Sequence, residues 1–149
     1  MATETTLREI TKETVRLVTA LDVGPDQDGL VAPNSVSIAE AYFEPKAWFR
    51  AIYFGEQPAG FAMVWRDPDE RVFYIWRFMV DARFQGKGIG RRALELLLDE
   101  ARADGVDEVT LSVVPGPHSA LAFYEQCGFQ ATGEMHGSEA EMKLTLPPS

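Results

Sequence analysis

The sequence predicts an α/β fold of the α+β kind: a mixed, mostly antiparallel twisted sheet of six to seven strands, with about four helices on its faces. Three observations carry this. Apolar runs at 48–54, 59–65 and 71–80 are joined by "GEQP" and "RDPDE", short turn-rich links that suit hairpins. An amphipathic stretch follows, with Leu94, Leu97, Leu98 and Ala101 at helical spacing. The strand-like "DEVTLSVV" comes next, so strand, helix and return strand make a right-handed crossover that sets 109–113 parallel to 71–80.

The remaining elements follow in order. Residues 6–10 read as a first strand. In "TKETVRLVTAL", Val15, Val18 and Leu21 share a helical face, and Thr11 is placed to cap its start. "DVGPDQDGLVAPNS" is loop by its Gly-Pro, Asp-Gly and Pro-Asn pairs, and "SVSIAEAYFEP" is a weaker helix closed by Pro45. The long helix spans 89–104, with Gly105 placed to stop it. "HSALAFYEQCG" is a short helix ending at Gly128, and strands at 129–135 and 139–146 complete the sheet.

At 149 residues the chain reads as a single domain, 1–149, long enough to bury a core. Its net charge of −9 argues against nucleic acid or an anionic membrane as partner and leaves room for a cationic one. No apolar run reaches the roughly 18 residues of a membrane span, and "MATETTLREI" lacks a signal-peptide pattern. A lone cysteine, Cys127, allows no internal disulfide and fits a reducing, cytoplasmic setting. Two histidines and that cysteine lack zinc-ligand spacing, so no metal is expected.

The stretch 80–105, "VDARFQGKGIGRRALELLLDEARADG", poses an electrostatic problem. A helix carries partial positive charge at its start and partial negative charge at its end, so wrong-sign residues there cost about 0.3 kcal/mol or more each. Yet Lys87, Arg91 and Arg92 stand at the start, and Asp99 and Glu100 near the end. The acidic chain as a whole gives no reason for a basic cluster; it answers something local.

Three anion-binding patterns compete for this turn. The G-x-x-x-x-G-K-[ST] loop fails because Gly86-Lys87 is followed by Gly88. The G-x-G-x-x-G fingerprint fails because the spacing is Gly86-x-Gly88-x-Gly90, and Asp107 and Glu108 begin a strand rather than end one. The third pattern fits: a strand, Gln85-x-x-Gly88-x-Gly90, then a helix whose first N–H groups lack partners, with glycines that let a phosphate approach closely. The plain alternative is a solvated basic turn.

This loop resembles the Q/R-x-x-G-x-G/A signature of the GCN5-related N-acetyltransferases (GNAT), and "ALAFYEQCGF" at 120–129 resembles the family's A-x-x-x-Y-E-x-x-G-F block. "RFMVDARFQGKGIG" and "GFQATGEMHGSEAEMKL" are similar to the bacterial spermine/spermidine (polyamine) acetyltransferase branch; the specific motifs cover 76–144. The resemblance implies a sheet splayed at its centre between the strands at 71–80 and 107–113. It implies acetyl-CoA as cosubstrate, its pantetheine arm on backbone groups of Phe78, Met79 and Val80. The pyrophosphate would rest on backbone N–H groups of Gln85, Gly86, Lys87, Gly88, Ile89, Gly90 and Arg91, and the thioester would point at Tyr124. The late strands of such folds also pair across subunits, which admits a homodimer. Many relatives carry Asn where this chain has Pro117, which puts one cofactor contact in doubt; His118 stands next to it.

The implied reaction is attack of a neutral amine on the acetyl carbonyl with loss of CoA thiolate. Freeing an alkylamine of its proton at pH 7 costs about 4 kcal/mol, so a base or water chain is required. A tyrosine suits the departing sulfur as acid, and the motif assigns that role to Tyr124; periodicity alone would make it a core aromatic beside Phe123. Glu40, Glu139 and Glu141 are the candidate bases, and ordered water is preferred for proton removal, with acidic residues attracting the amine. Cys127 reads as a small buried thiol rather than a nucleophile, and His118 and His136 as loop residues. Trp48, Trp65, Tyr74 and Trp76 could hold an alkylammonium, so Glu40, Trp76 and Glu139 are the candidate substrate residues. A polyamine is the favoured acceptor, ahead of a peptide or protein amine and an aminoglycoside. A catalytically silent acetyl-CoA sensor is the non-enzyme alternative.

Overall fold

The computed structural model describes residues 3–25, 32–117 and 119–147. The chain forms β1 (Thr5–Arg8), α1 (Val15–Thr19), α2 (Asn34–Tyr42), β2 (Ala47–Phe54), β3 (Gln57–Asp67) and β4 (Val72–Val80). A 3-10 turn (Ala82–Phe84) leads to α3 (Ile89–Ala103), then β5 (Glu108–Val113), α4 (Leu121–Gln126), β6 (Gln130–His136) and β7 (Glu139–Thr145). The strands make one sheet in the order β1-β2-β3-β4-β5-β7-β6. Every pairing is antiparallel except that of β4 with β5, as the crossover argument requires.

Helices cover both faces. α3 and α4 bury Ile89, Ala93, Leu94, Leu97, Leu98, Ala101 and Tyr124 against Ala62, Val64, Phe73, Ile75 and Leu111. On the opposite face Val18 and Leu21 pack with Ala51, Tyr53, Phe61, Met63 and Met79, with Ile38 and Ala41 of α2 against them. The run "AGFAMV" shows no alternation because β3 is buried on both sides. β6, at the sheet edge, is polar and exposed.

The first helix starts later than its pattern suggests. Thr11 and Thr14 satisfy one another: the Thr11 N–H donates to Thr14 Oγ1 at 2.9 Å, and the Thr11 carbonyl accepts from Val15 N–H at 2.9 Å. That local turn uses up Thr11, and Thr14 becomes the residue before the helix. Of the predicted face, Val18 and Leu21 are buried and Val15, in the first turn, is half-buried.

α3 ends as expected, with Asp104 capping and Gly105 at φ +76°. Its wrong-sign carboxylates have a partner. Arg66 of β3 donates from Nε to Asp104 Oδ2 at 2.7 Å, and from Nη2 to Asp104 Oδ1 at 2.8 Å and Glu100 Oε2 at 3.0 Å. Asp99 pairs with Arg102 on the helix surface.

Two irregularities shape the centre of the sheet. Met63 pairs with Arg77 and Val64 with Ile75, so Trp76 is an extra residue, a bulge in β4. β4 and β5 pair only at Tyr74–Thr110 and Ile75–Leu111. Beyond that point β5 follows β7 and β4 follows β3, and the sheet opens.

Candidate active site

The opening leaves the edge of β4 over 76–80 without a ladder partner on the β5 side. A cleft of about 500 Å³ occupies the gap. Phe78, Met79 and Val80 line it from β4; Gln85, Gly86, Gly88, Gly90 and Arg91 line it from the loop and from α3. Lys87 is exposed in the same turn, whereas Ile89 is 1% exposed, its side chain packed in the core away from the cleft lining. The far wall is Phe123 and Tyr124 of α4.

The loop is built as its glycines predict. Gly88 is the residue before α3 with φ +81°, a conformation a Cβ makes costly, and nothing lies within 4 Å of where that Cβ would be. No side chain caps the helix, and its first turn has no acidic residue. Among the described residues, the backbone N–H groups over 86–91 have no hydrogen-bond acceptor. Arg92 pairs with Glu95 at 3.2 Å. Lys87 and Arg91 have no carboxylate partner among the described residues, so two of the three cations face the helix dipole uncompensated. The Gln85 side chain does not reach into the cleft as a free donor: its Nε2 donates to Val80 O at 2.9 Å and Val23 O at 3.1 Å.

A second cavity of about 220 Å³ opens beside the first, and the two share Phe78, Ser119, Ala120 and Tyr124. Tyr124 is 6% exposed, and its hydroxyl makes no hydrogen bond among the described residues. Burial, with a smaller contribution from Cys127, raises its phenol well above the ordinary tyrosine range. The proton therefore stays on oxygen, as a donor needs. Sequence periodicity inverted its neighbour: Phe123 is the half-buried ring lining the cleft, stacked on Phe78 at 6.3 Å, and Tyr124 is the deeper one. Cys127 is partly buried and its thiol is raised, by desolvation first, although nearby Arg91 pulls the other way. A raised thiol at a helix end argues against a nucleophile.

The second cavity sorts the candidate substrate residues. Trp76 and Glu139 line it. Glu40 does not, and its carboxylate already accepts from Arg77 Nη2 at 3.2 Å. Trp48 lies elsewhere, stacked against Arg50 and Arg66 at 4.4 and 4.9 Å; Trp65 and Tyr74 are also outside the lining. The Trp76 ring itself faces the Arg77 guanidinium at 5.6 Å. His136 is no loop residue: it ends β6 and its Nε2 lies 2.7 Å from Glu141 Oε2. That contact holds the Glu141 carboxyl below the usual carboxylate range. His118 lies outside the described residues.

Two polar residues stand out among the lining residues that escaped the sequence reading. Arg77 borders the second cavity, and its Nε is buried with no partner among the described residues. Its signal was available as the one charge inside "VFYIWRFMV". Ser119 stands at the seam of both cavities, its hydroxyl bonded to the Val114 carbonyl while it accepts from Leu121 N–H at 3.1 Å. Pro117, where the resemblance wanted an amide side chain, is exposed. Among the described residues, no group of acidic, His or Cys side chains is arranged to hold a metal ion, and no helix is long and apolar enough to cross a membrane.

A splayed mixed sheet with a glycine loop before its central helix is the architecture the chain brings to the comparisons. The family model described as "Acetyltransferase (GNAT) family" matches residues 16–129, and the chain belongs to that family. It is an acetyl-CoA-dependent N-acetyltransferase. It is 26% identical over 140 residues to the spermine/spermidine N(1)-acetyltransferase of Bacillus subtilis, covering 87% of this chain and 90% of that one. It is 43% identical over 75 residues to the N-alpha-acetyltransferase RimI of Mycobacterium tuberculosis, covering 50% and 45% respectively. In fold it matches the PaiA N-acetyltransferase of Thermoplasma acidophilum, solved with coenzyme A, at TM-score 0.74 and 15% identity over 96% and 99% of the two chains.

Proposed function

We propose that the chain acetylates a primary amine by direct transfer, with a polyamine as the acceptor. The observation that carries this reading is the junction of the two cavities at Phe78 and Tyr124. One cavity offers the groups a long anionic cosubstrate needs, and the other, beside it, opens onto the same phenol.

The cofactor cleft fits acetyl-CoA on its own chemistry. Free N–H groups over 86–91, with Lys87 and Arg91 beside them, suit a diphosphate. The unpaired edge of β4 at Phe78, Met79 and Val80 suits an arm that carries amides, which would lie there as an added strand. When bound, the cosubstrate supplies an acyl thioester whose acetyl group passes to the amine nitrogen as thiol is released. Tyr124 donates a hydrogen bond to the departing sulfur, and any proton it passes on would be replaced through water at the junction of the two cavities. Phe78 and Phe123 exclude water around that phenol.

On the acceptor side, Glu139 draws the ammonium and Trp76 walls its path. The proton leaves through water at this mouth, where Glu139 and the Glu141–His136 pair lie on one hairpin. Glu40 acts through Arg77 rather than on the amine.

A peptide α-amine is the second reading, favoured by one observation. Arg77 places a cation at the acceptor cavity, which suits a carbonyl next to the amine better than a second ammonium. Thiol release from acetyl-CoA, measured against spermidine, spermine, peptides with free N-termini and aminoglycosides, separates the readings. Turnover with spermidine at the highest kcat/KM is expected. Turnover with peptides alone transfers the assignment to the second reading, and CoA binding without turnover on any amine leaves a sensor.

A further inference from the structure

The end of β4 holds a carboxylate for which the reaction has no use. Asp81 is 4% exposed. Its Oδ1 accepts from the Asp22 N–H at 2.8 Å, and its Oδ2 accepts from Arg83 N–H at 3.0 Å and Arg83 Nε at 2.8 Å. Around it the backbone is stitched as well: Asp81 N–H donates to Ala59 O at 2.7 Å, and Ala82 N–H to Asp22 O at 2.8 Å. Gln85 adds the bond to Val23 O.

These bonds join two pieces of chain far apart in sequence: residues 22–23, just past α1, and the turn that leads into the glycine loop. The approach is close, since a Cβ on Gly24 would stand 3.2 Å from Ala82 Cβ. Val23, held at this seam, lines the cofactor cleft together with Gln85. The seam therefore fixes one wall of the cleft and the entry of the loop at once.

We infer that Asp81 is a positioning residue for acetyl-CoA, acting on residues 22–23 together with Gln85 to hold the wall and the phosphate loop in one frame. This rests on the reading of the cleft as the cofactor site. Three donors converge on one side chain, and only a carboxylate accepts from all of them. An amide of the same shape must turn an NH₂ group toward at least one of those donors, so Asp81→Asn tests the charge and the acceptor count with little change in volume. Gln85→Met cuts the same seam from the other side without touching a charge.

The measurement is calorimetric binding of coenzyme A to the full chain at a temperature well below unfolding, with initial-rate kinetics alongside. Asp81→Asn is expected to weaken coenzyme A about tenfold and raise KM for acetyl-CoA in step, with KM for the amine unmoved. Gln85→Met is expected to weaken it severalfold, and the double variant no more than Asp81→Asn alone. A lowered melting temperature with wild-type coenzyme A affinity in both single variants makes the seam purely structural and overturns the inference. Should Asp81→Asn fail to fold, Gln85→Met decides alone. Failure of the unmodified chain to bind coenzyme A removes the cofactor reading itself, whereas normal binding by all the proteins removes only this one.

Discussion

The two ends of α3 carry the same kind of electrostatic fault and resolve it differently. At the C-terminal end, Glu100 and Asp104 oppose the helix dipole, and Arg66 compensates them from within the fold. At the N-terminal end, Lys87 and Arg91 oppose it too, and among the described residues no carboxylate answers them. A charge set against a dipole is thus no sign of function by itself. It becomes one when the molecule supplies no internal counter-charge and free backbone donors point the same way.

The comparison breaks most sharply at Arg66. Arg66→Met leaves Asp104 half-buried without its partner, and a loss of about 3 kcal/mol in unfolding free energy is expected. Coenzyme A affinity of the protein that remains folded should not change; chemical denaturation and calorimetry check both. Next in size is Tyr124→Phe, with kcat lowered about a hundredfold and coenzyme A affinity retained, read by thiol release. Because burial raises that phenol, no loss of rate from its ionisation is expected as pH climbs through the ordinary tyrosine range near 10. At the ligand end of α3, Gly88→Val should cost about tenfold or more in cofactor affinity. It should cost only about 1–2 kcal/mol in stability, from the left-handed backbone. The smallest effect belongs to Lys87→Ala and Arg91→Ala. Each should weaken coenzyme A a fewfold, more at low salt than at high, while thermal stability holds or rises slightly. Equal destabilisation by these and by Arg66→Met would erase the distinction between the two ends.

The same contrast explains how much was legible in the sequence. The half proposed to hold the cofactor is made of backbone: glycines at fixed spacing, a free helix start and an open strand edge. Such a device must be written contiguously, so Gln85, Gly88 and Gly90 betrayed it, and the apolar runs with their short turns betrayed the strands around it. The acceptor half is made of side chains from elements far apart in sequence. Glu40 carries the right charge, but Arg77 has taken it, a pairing across 37 positions that no local pattern records. The aromatic run overstated the supply of rings because strand faces and the one-residue bulge at Trp76 decide which ring turns inward. Thr11 failed as a cap for a smaller version of the same reason, a nearby threonine competing for its groups.

The narrow join between β4 and β5 has a mechanical consequence. With two rungs holding them, the strands form two rafts, β1 to β4 and β5 to β6, moored at a single point and gaping beyond it. A chain-like guest laid along the bare edge of β4 would moor them a second time. Amide protons on both banks should then exchange more slowly, and a protease should find the gap shut.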